Sequence, residues 1–411
     1  LPVVNSKNGS KLSNRFGLSE WSGAVGDLGT LLPLAFALTV YNSFPVPRLF
    51  LLWGIIYIVT ALYFKIPISV QPLKAMVVIA VTYGYSMEFL SSTAVFYGIL
   101  FLIMTYSGLI RIIDRLFSQE LIRGIQLGVG LMLVTKAVEL VLENALYLGE
   151  TVKQPSLSTG LTIGLVLILV IGLAWMRKPL GIIIIMIGLF ITWIIGISPE
   201  TGIVRGNLIE WSFPHWHLLL DAMILLIIPQ LPLTLGNSVF AAKDAIHEFW
   251  PDRAGKLKTS HLAGSIGFSN VFIGMLGGFP ICHGSGGIAA HARMGARTGG
   301  ATIIMGFALI IFGLVDNWSI VLFMIPIPIL SALLIYESWA LIRLTGKLPR
   351  LNEGLIAVSI GFAALFLHNL TVALLIGITV RWLLHREWID QRINKLQYYL
   401  INNLNIFGKV E

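Results

Sequence analysis

Apolar stretches near the length of a membrane span recur along the whole chain, separated by short polar or charged runs. A transmembrane helix needs about 20 predominantly apolar residues. On that criterion the pattern predicts segments at about 17–41, 48–64, 70–86, 91–110, 119–143, 158–176, 179–198, 216–240, 259–278, 279–293, 298–315, 319–342, 352–367 and 369–385, fourteen in all. Two of them, 70–86 and 279–293, are too short or too polar for full spans, and each is entered through a proline, Pro72 and Pro280. Proline followed by small, donor-bearing residues reads as the start of a short helix. Residues 144–157 and 199–215 read as outer loops, and 244–258 as a charged inner loop. The last stretch, 387–411, reads as an amphipathic basic tail along the inner surface.

Composition narrows the class. Of 411 residues, 56% are hydrophobic and 12% charged, and the mean hydropathy is +0.85. An average soluble domain carries about 25% charged residues, so a soluble multidomain enzyme does not fit. The net charge of +8 does not mark a nucleic-acid binder, because the basic residues fall between apolar segments rather than on one patch. A single cysteine, Cys282, leaves no disulfide framework within the chain. Residues 1–15 are polar and basic, without a signal-peptide pattern.

Charge placement tests the segment count. With both termini cytosolic, 23 of the 28 lysines and arginines fall on inner stretches and only Arg48, Lys153 and Arg205 on outer loops. Lys74 and Lys136 lie inside segments. That bias is what the positive-inside rule requires, and shifting the count by one segment would destroy it. An internal repeat agrees. Gly29 in the first segment and Gly236 in the eighth are 207 residues apart, and Pro72 and Pro280 are 208 apart. Seven segments per half is an odd number, so the halves insert with opposite orientation. This is the inverted-repeat plan of secondary transporters, in which interrupted helices at matching positions mark the site.

The most unusual stretch is Gly278-Phe-Pro-Ile-Cys-His-Gly-Ser-Gly-Gly287. Non-helical backbone of this kind is tolerated at membrane depth only where it is buried in protein or lines a cavity. The helices opening after Pro72 and Pro280 should aim their N-termini at each other, each end worth roughly half a positive charge. Two such ends cannot balance a dianion, and stripping an ion of water costs tens of kcal/mol in a low-dielectric medium. Dense donors are therefore needed, and Ser69, Gln71, Cys282, His283, Gly284 and Ser285 are the candidates. The competing reading is that the glycines only permit close helix packing.

Further polar residues sit at apolar depth. Lys74 could supply positive charge, gate the cytosolic side, or pair with Asp27, since intramembrane charges are costly. Asp27 suits proton coupling, neutralisation of Lys74, or a cap on a broken helix. Gln230, between Pro229 and Pro232, offers a neutral amide donor to an oxyanion; an interhelical hydrogen bond is the alternative. Thr30, Thr234, Asn237 and Ser238 accompany these. Lys136 sits three residues before Glu139, a structural pair. Arg293 and Arg297 read as interface anchors, and His261, His291 and His368 as structural or interfacial.

Three motifs carry a resemblance: Gly26-Asp-Leu-Gly-Thr30; Pro229-Gln-Leu-Pro-Leu-Thr-Leu-Gly-Asn-Ser238; and Pro280-Ile-Cys-His-Gly-Ser-Gly-Gly287 followed by Arg293-Met-Gly-Ala-Arg-Thr-Gly299. Together they resemble the molybdate transporter family, a distant branch of the SulP-type sulfate transporters, over about residues 16–388. The resemblance implies an all-α membrane protein of the uracil-transporter type: fourteen segments as two inverted sevens, with short strands before the half-helices of segments three and ten. It implies a core domain from 16–112 and 216–315, moving against a gate domain from 116–198 and 318–386. It implies molybdate as substrate, with tungstate or sulfate as mimics, bound near Gln71, Gln230 and Cys282 through Ser285. Thr30 and Ser69 accompany the set, and Asp27 and Lys74 serve coupling or charge balance. No cofactor or metal is implied. Partners are the oxyanion, the lipid bilayer and a possible homodimer, in the plasma (inner) membrane.

Other readings stay open at this stage. A nucleobase carrier would want paired carboxylates or amides in segment ten, which has none. A sulfate carrier or an anion channel fits the same scaffold. A membrane enzyme using Cys282 and His283 fits poorly, because neighbours on a helical turn point about 100° apart.

Overall fold

The computed structural model describes residues 13–142, 146–147, 158–176, 181–196, 206–255, 257–315, 324–346, 348, 350–367 and 369–384, and most of that backbone is helical. The elements in chain order are α1 (Leu18–Ala24), a 3-10 turn (Val25–Asp27), α2 (Leu28–Asn42), α3 (Val46–Phe64), β1 (Gln71–Pro72), α4 (Lys74–Tyr83), α5 (Met87–Tyr106), α6 (Leu109–Leu116), α7 (Gln119–Leu142), α8 (Thr159–Met176) and α9 (Gly181–Ile195). Then follow α10 (Trp216–Phe249), α11 (Thr259–Met275), β2 (Ile281–Cys282), α12 (Ser285–Arg293), α13 (Gly300–Leu314), α14 (Ile327–Thr345), α15 (Leu351–Leu367) and α16 (Leu370–Leu384). Among the described residues six helices are long and apolar enough to cross a bilayer, and five further apolar helices are shorter.

The two expected irregular segments are where regular helix gives way. Residues 70–73 are extended and only Lys74–Tyr83 is helical; Ile281–Cys282 is a strand and Ser285–Arg293 the helix after it. Gly84, at φ +63, closes α4 in the left-handed conformation that glycine adopts without strain. The first segment is one helix tightened by the 3-10 turn at Val25–Asp27. There Gly26 lies so close to α12 that a Cβ would stand 2.7 Å from the Ala290 carbonyl oxygen.

The eighth segment differs from its expected end. The span 216–240 is embedded in a helix that continues to Phe249. The length criterion stops at the last apolar residue, whereas this helix runs on through an amphipathic turn containing Lys243 and Asp244. Pro229 and Pro232 remove two donors from its middle. The ladder absorbs the loss as π-helical stretches at Met223–Ile227 and Thr234–Phe240, on either side of Gln230. The twelfth segment starts its described helix at Ile327, and residues 316–323 lie outside the described set. So do most of 144–157, residues 199–205 of the second outer loop, and the tail 387–411.

Arg48 is corrected from an outer-loop cation to a buried residue of α3. It pairs with Glu210 at 2.7 Å and donates to the carbonyls of Asn207 and Gly277 at 2.9 and 3.3 Å. Lys136 pairs with Glu139 at 3.2 Å on an exposed face, as its spacing implies.

Helix packing follows a definite pattern. α3 packs along α13, α5 along α11, and α7 along both α14 and α15, while α14 also packs on α8. The first two pairs cross at glycines. A Cβ at Gly54 would meet the Gly306 carbonyl oxygen at 2.6 Å and one at Gly306 would meet that of Gly54 at 2.6 Å. A Cβ at Gly98 would likewise meet the Gly267 carbonyl oxygen at 2.6 Å. Without hydrophobic driving force between helices in lipid, such close backbone contact is a main source of adhesion. Outward faces of α8 and α9 carry exposed Ile168, Ile171, Phe190 and Trp193, the surface expected to meet hydrocarbon.

One exchange isolates this contact. Gly306→Ala should destabilise the protein by about 1–3 kcal/mol, because backbone cannot move aside for the methyl group. Gly354→Ala, in a helix where a Cβ meets nothing within 4 Å, should be neutral or stabilising by up to about 1 kcal/mol. Thermal unfolding of purified protein in detergent reads the difference; equal effects at the two positions would contradict the packing described.

Candidate functional site

The two irregular stretches meet. β1 pairs antiparallel with β2, Gln71 opposite Cys282 and Pro72 opposite Ile281. The ladder is extended by Leu73 N–H donating to the Pro280 carbonyl at 3.0 Å. Because the strands are antiparallel, the chain leaves the pair at opposite ends and α4 and α12 run away in opposite senses. Asn270 of α11 holds β2 from behind, accepting from Ile281 N–H and donating to Ile281 C=O, both at 2.8 Å. The Ser69 hydroxyl donates to the Gly284 carbonyl at 2.8 Å. His283 Nδ1 meets the Ser69 carbonyl at 2.9 Å and its Nε2 meets the Ser265 hydroxyl at 3.0 Å. A carbonyl can only accept, so Nδ1 carries the proton and Nε2 accepts from Ser265.

Each short helix presents its first turn beside this pair. The first helical bond of α12 is Ile288 N–H to Gly284 C=O at 3.2 Å, so the N–H groups of Ser285, Gly286 and Gly287 precede it. Its N-cap, Gly284, offers no side-chain cap. The Ser285 hydroxyl donates to Asn237 Oδ1 of α10 at 2.5 Å. On α4 the Met76 N–H donates to Gln230 Oε1 at 3.1 Å, while Gln230 Nε2 donates to the Thr234 hydroxyl at 3.0 Å. α10 therefore touches both helix starts, Gln230 at one and Asn237 at the other.

Asp27 is fully buried against the same turn. Its Oδ2 accepts from the Tyr57 hydroxyl at 3.0 Å, and its Oδ1 accepts from Gln71 Nε2. Gly287 is what lets these groups approach. A Cβ there would stand 2.6 Å from Ser69 Cβ and 2.7 Å from both Asp27 Oδ2 and Gln71 Nε2. The other end of the Gln71 amide, Oε1, lies against Gly284 and has no hydrogen-bond partner among the described residues. Thr30 Oγ1 is also buried without a hydrogen-bond partner among the described residues, and the buried Tyr97 hydroxyl lies beside Thr234.

Several expectations change with this geometry. Both nitrogens of His283 are already taken, so its ring braces the strand pair and offers no free donor. Gln230 spends its acceptor on a helix start and one of its two amide hydrogens on Thr234, leaving the other. Cys282 is buried as a strand residue. Lys74 is half-buried at the first position of α4. Neither it nor Asp27 has an ion-pair partner within 4 Å among the described residues, so the pairing of Asp27 with Lys74 is replaced by two neutral donors on Asp27. Arg293 stacks its guanidinium 4.8 Å from the Tyr336 ring centre instead of anchoring at an interface. His291 is fully buried, with Nδ1 on the Gly23 carbonyl at 2.8 Å and its ring edge-on to Tyr57. His261 Nδ1 accepts from Lys258 N–H at 3.4 Å at the start of α11. His368 lies outside the described residues.

Tyr57, Tyr97 and Asn270 escaped the reading of the sequence. The available signal was the same for all three, a hydrogen-bonding tip in the middle of an apolar helix, where an unpaired polar group is expensive.

Comparison with known proteins gives the fold and the family. The family described as "Molybdate transporter of MFS superfamily" matches residues 19–133 and 222–341, more than half of the chain. Molybdate transporter 1 of Arabidopsis thaliana is 27% identical over 363 residues, covering 78% of each chain. Among solved structures, the transmembrane domain of the cyanobacterial bicarbonate transporter BicA superposes with TM-score 0.53 at 15% identity, over 90% of this chain and 100% of that one. SLC26A9 superposes with TM-score 0.51 at 13% identity, over 89% and 64%. At those identities the likeness concerns fold alone, a mostly helical architecture shared with these two structures. The apolar helices, the fold and the family match converge on an integral, multi-pass membrane protein, and the chain belongs to the molybdate transporter family.

Proposed function

We propose that the protein is a secondary transporter that carries molybdate, or a similar tetrahedral oxyanion, by alternating access. One observation carries this reading. The antiparallel pairing of Gln71–Pro72 with Ile281–Cys282 brings the first turns of two oppositely running short helices together. Helix starts are anion sites in waiting, with outward N–H groups and partial positive charge. Here the anion lies between α4 and α12. Ser285, Gly286 and Gly287 N–H donate from one side, the open N–H groups of Lys74 and Ala75 from the other, and the spare Gln230 amide hydrogen from α10. Gly284 leaves room, Ser69 and His283 brace the turn, Cys282 and Thr30 line it, and Lys74 adds charge. Hydrogen bonds to a charged group contribute about 1.5–3 kcal/mol each, so several together offset a desolvation cost that no single residue could. The relatives support molybdate as cargo by name.

The packing pattern supports the transport cycle. Matching the first half of the chain to the second at an offset near 208 exchanges α3 with α11 and α5 with α13. The contact of α3 with α13 then maps onto that of α11 with α5, and β1 with β2 onto itself. Gly98 and Gly306 are 208 residues apart, and Gly54 and Gly267 213 apart. This supports two inverted repeats of seven segments. The strongest packing also stays within two groups, which supports a core domain (16–112 and 216–315) moving against a gate domain (116–198 and 318–386). In this reading the termini face the cytosol across the plasma membrane, and no chemistry is performed on the cargo.

Binding to purified protein, with molybdate, tungstate, sulfate, phosphate and uracil compared side by side, tests the substrate class. Saturable binding of molybdate and tungstate with none of uracil is expected; uracil binding without oxyanion binding would overturn the reading. Gln230→Ala should lower molybdate affinity at least about fivefold, since it both removes a donor and orphans the Met76 N–H, a loss of about 1–3 kcal/mol. Cys282→Ser should retain transport, because a thiol is only a weak donor. Wild-type affinity in the first variant, or complete loss in the second with protein still folded in the membrane, would contradict these assignments.

A further inference from the structure

The Gln71 amide is held at one end only. Ionised Asp27 is acceptor-only, so the end facing it must be Nε2–H. The consequence is that Oε1 points the other way, against Gly284, buried and without a donor. An acceptor aimed at the start of α12 works against an anion there, as does the Asp27 charge behind it. Both defects vanish with one proton. A neutral Asp27 can donate O–H to Gln71 Oε1. A half-turn of the amide about its last side-chain torsion makes that bond and delivers the NH2 group to the Gly284 side, where an oxyanion would accept from it. The torsion is broad and two-fold, so both orientations are accessible.

We propose that Asp27 is the site of a coupling proton, and that its protonation turns the Gln71 amide from an acceptor into a donor toward the bound oxyanion. The inference rests on the oxyanion site proposed above and deepens it by naming a proton as the co-ligand, together with the residue that reads it. One proton is taken up from solvent with each anion and released with it; the carboxyl O–H of Asp27 is the only bond formed and broken. Among the described residues Asp27 carries no ion pair that would hold it ionised, only the neutral donors Tyr57 and Gln71. The other titratable or charged groups on the elements around it are Glu20 on α1, Tyr41 on α2, Arg48 and Tyr63 on α3, Lys74 and Tyr83 on α4, Cys282 on β2, His291 and Arg293 on α12, and Tyr336, Glu337 and Arg343 on α14. Glu20 is committed to the N–H groups of Arg297, Thr298 and Ala301 at 3.2–3.3 Å. His291 is committed to Gly23 through Nδ1, and Arg293 to Tyr336. Lys74 is half-buried at the first position of α4 and makes no ion pair with Asp27 within 4 Å.

The sign of the linkage follows. The anion-bound state holds the proton more tightly than the empty one, so affinity rises as pH falls through the titration of Asp27 in the empty site. On the alkaline side of that titration affinity should fall roughly tenfold per pH unit, the slope of a one-proton linkage. Isothermal titration of molybdate into the purified full-length protein, in two buffers of different ionisation enthalpy across the neutral range, counts protons directly. The wild type should take up about one proton per anion on the alkaline limb. Asp27→Asn, which keeps the shape and supplies a permanent donor to Gln71 Oε1, should bind with no proton uptake and with affinity flat in pH. Tyr57→Phe removes a donor that stabilises the ionised carboxylate, and should move the affinity–pH curve to higher pH. Molybdate binding by the wild type without proton uptake, unchanged uptake in Asp27→Asn, or an unshifted curve in Tyr57→Phe would each overturn the switch and leave the oxyanion site standing. Absence of molybdate binding at any pH would overturn both.

Discussion

Four residues of antiparallel ladder, Gln71 and Pro72 against Ile281 and Cys282, govern this molecule. Extended backbone in an apolar interior exposes N–H and C=O groups that no lipid can satisfy. A helix solves the problem alone; two short extended runs solve it only by pairing with each other. Leu73 N–H to Pro280 C=O lengthens the ladder, and Asn270, Ser69 and His283 hydrogen-bond the groups it leaves over. Once the pair exists, α4 and α12 must start beside it, and α10 meets both starts, with Gln230 at the Met76 N–H and Asn237 at the Ser285 hydroxyl. Ser69, Asn270 and His283, which interrupt the apolar pattern, thus have a common cause in closing this ladder.

The surrounding helices make that arrangement rigid. α3 and α13 approach backbone to backbone at Gly54 and Gly306, and α5 and α11 at Gly98 and Gly267. These crossings flank the ladder as a frame, so the extended strands need not supply stability themselves. α10 is the exception to regularity. Its π-helical stretches around Pro229 and Pro232 leave a helix able to turn Gln230 toward α4 and Asn237 toward α12. Irregular hydrogen bonding of this sort costs stability in any one helix, and its place beside both helix starts gives it a role.

Much of the helical architecture was readable from the residues, because apolar length and basic flanks act locally. Pro72 and Pro280 also showed themselves, as did the run from Gly278 to Gly287. What the residues concealed was pairing across long separations. Gln71 looked like a donor to cargo, yet it faces Asp27, forty-four positions earlier. His283 looked like a ligand, yet Ser69 and Ser265 occupy both of its nitrogens. His291 read as structural or interfacial, but the groups that hold it, the Gly23 carbonyl and the Tyr57 ring, lie far away in the sequence. Arg48 sits at the apolar edge of a segment, where a loop cation and a buried one look alike; only Glu210 and the turn at Gly277 decide between them. A single chain states which groups are polar and roughly how deep they lie, but the partner that satisfies each is a property of the assembled fold.

The account stands or falls on where an oxyanion rests. Tungstate is a tetrahedral dianion like molybdate and carries a heavy atom that can be located without ambiguity. A crystal structure of the protein at saturating tungstate, with the tungsten found from its anomalous scattering, should show one peak between the first turns of α4 and α12, within hydrogen-bonding reach of the Ser285 to Gly287 amides. A peak at any other place, or bound tungstate with those amides still empty, would contradict it.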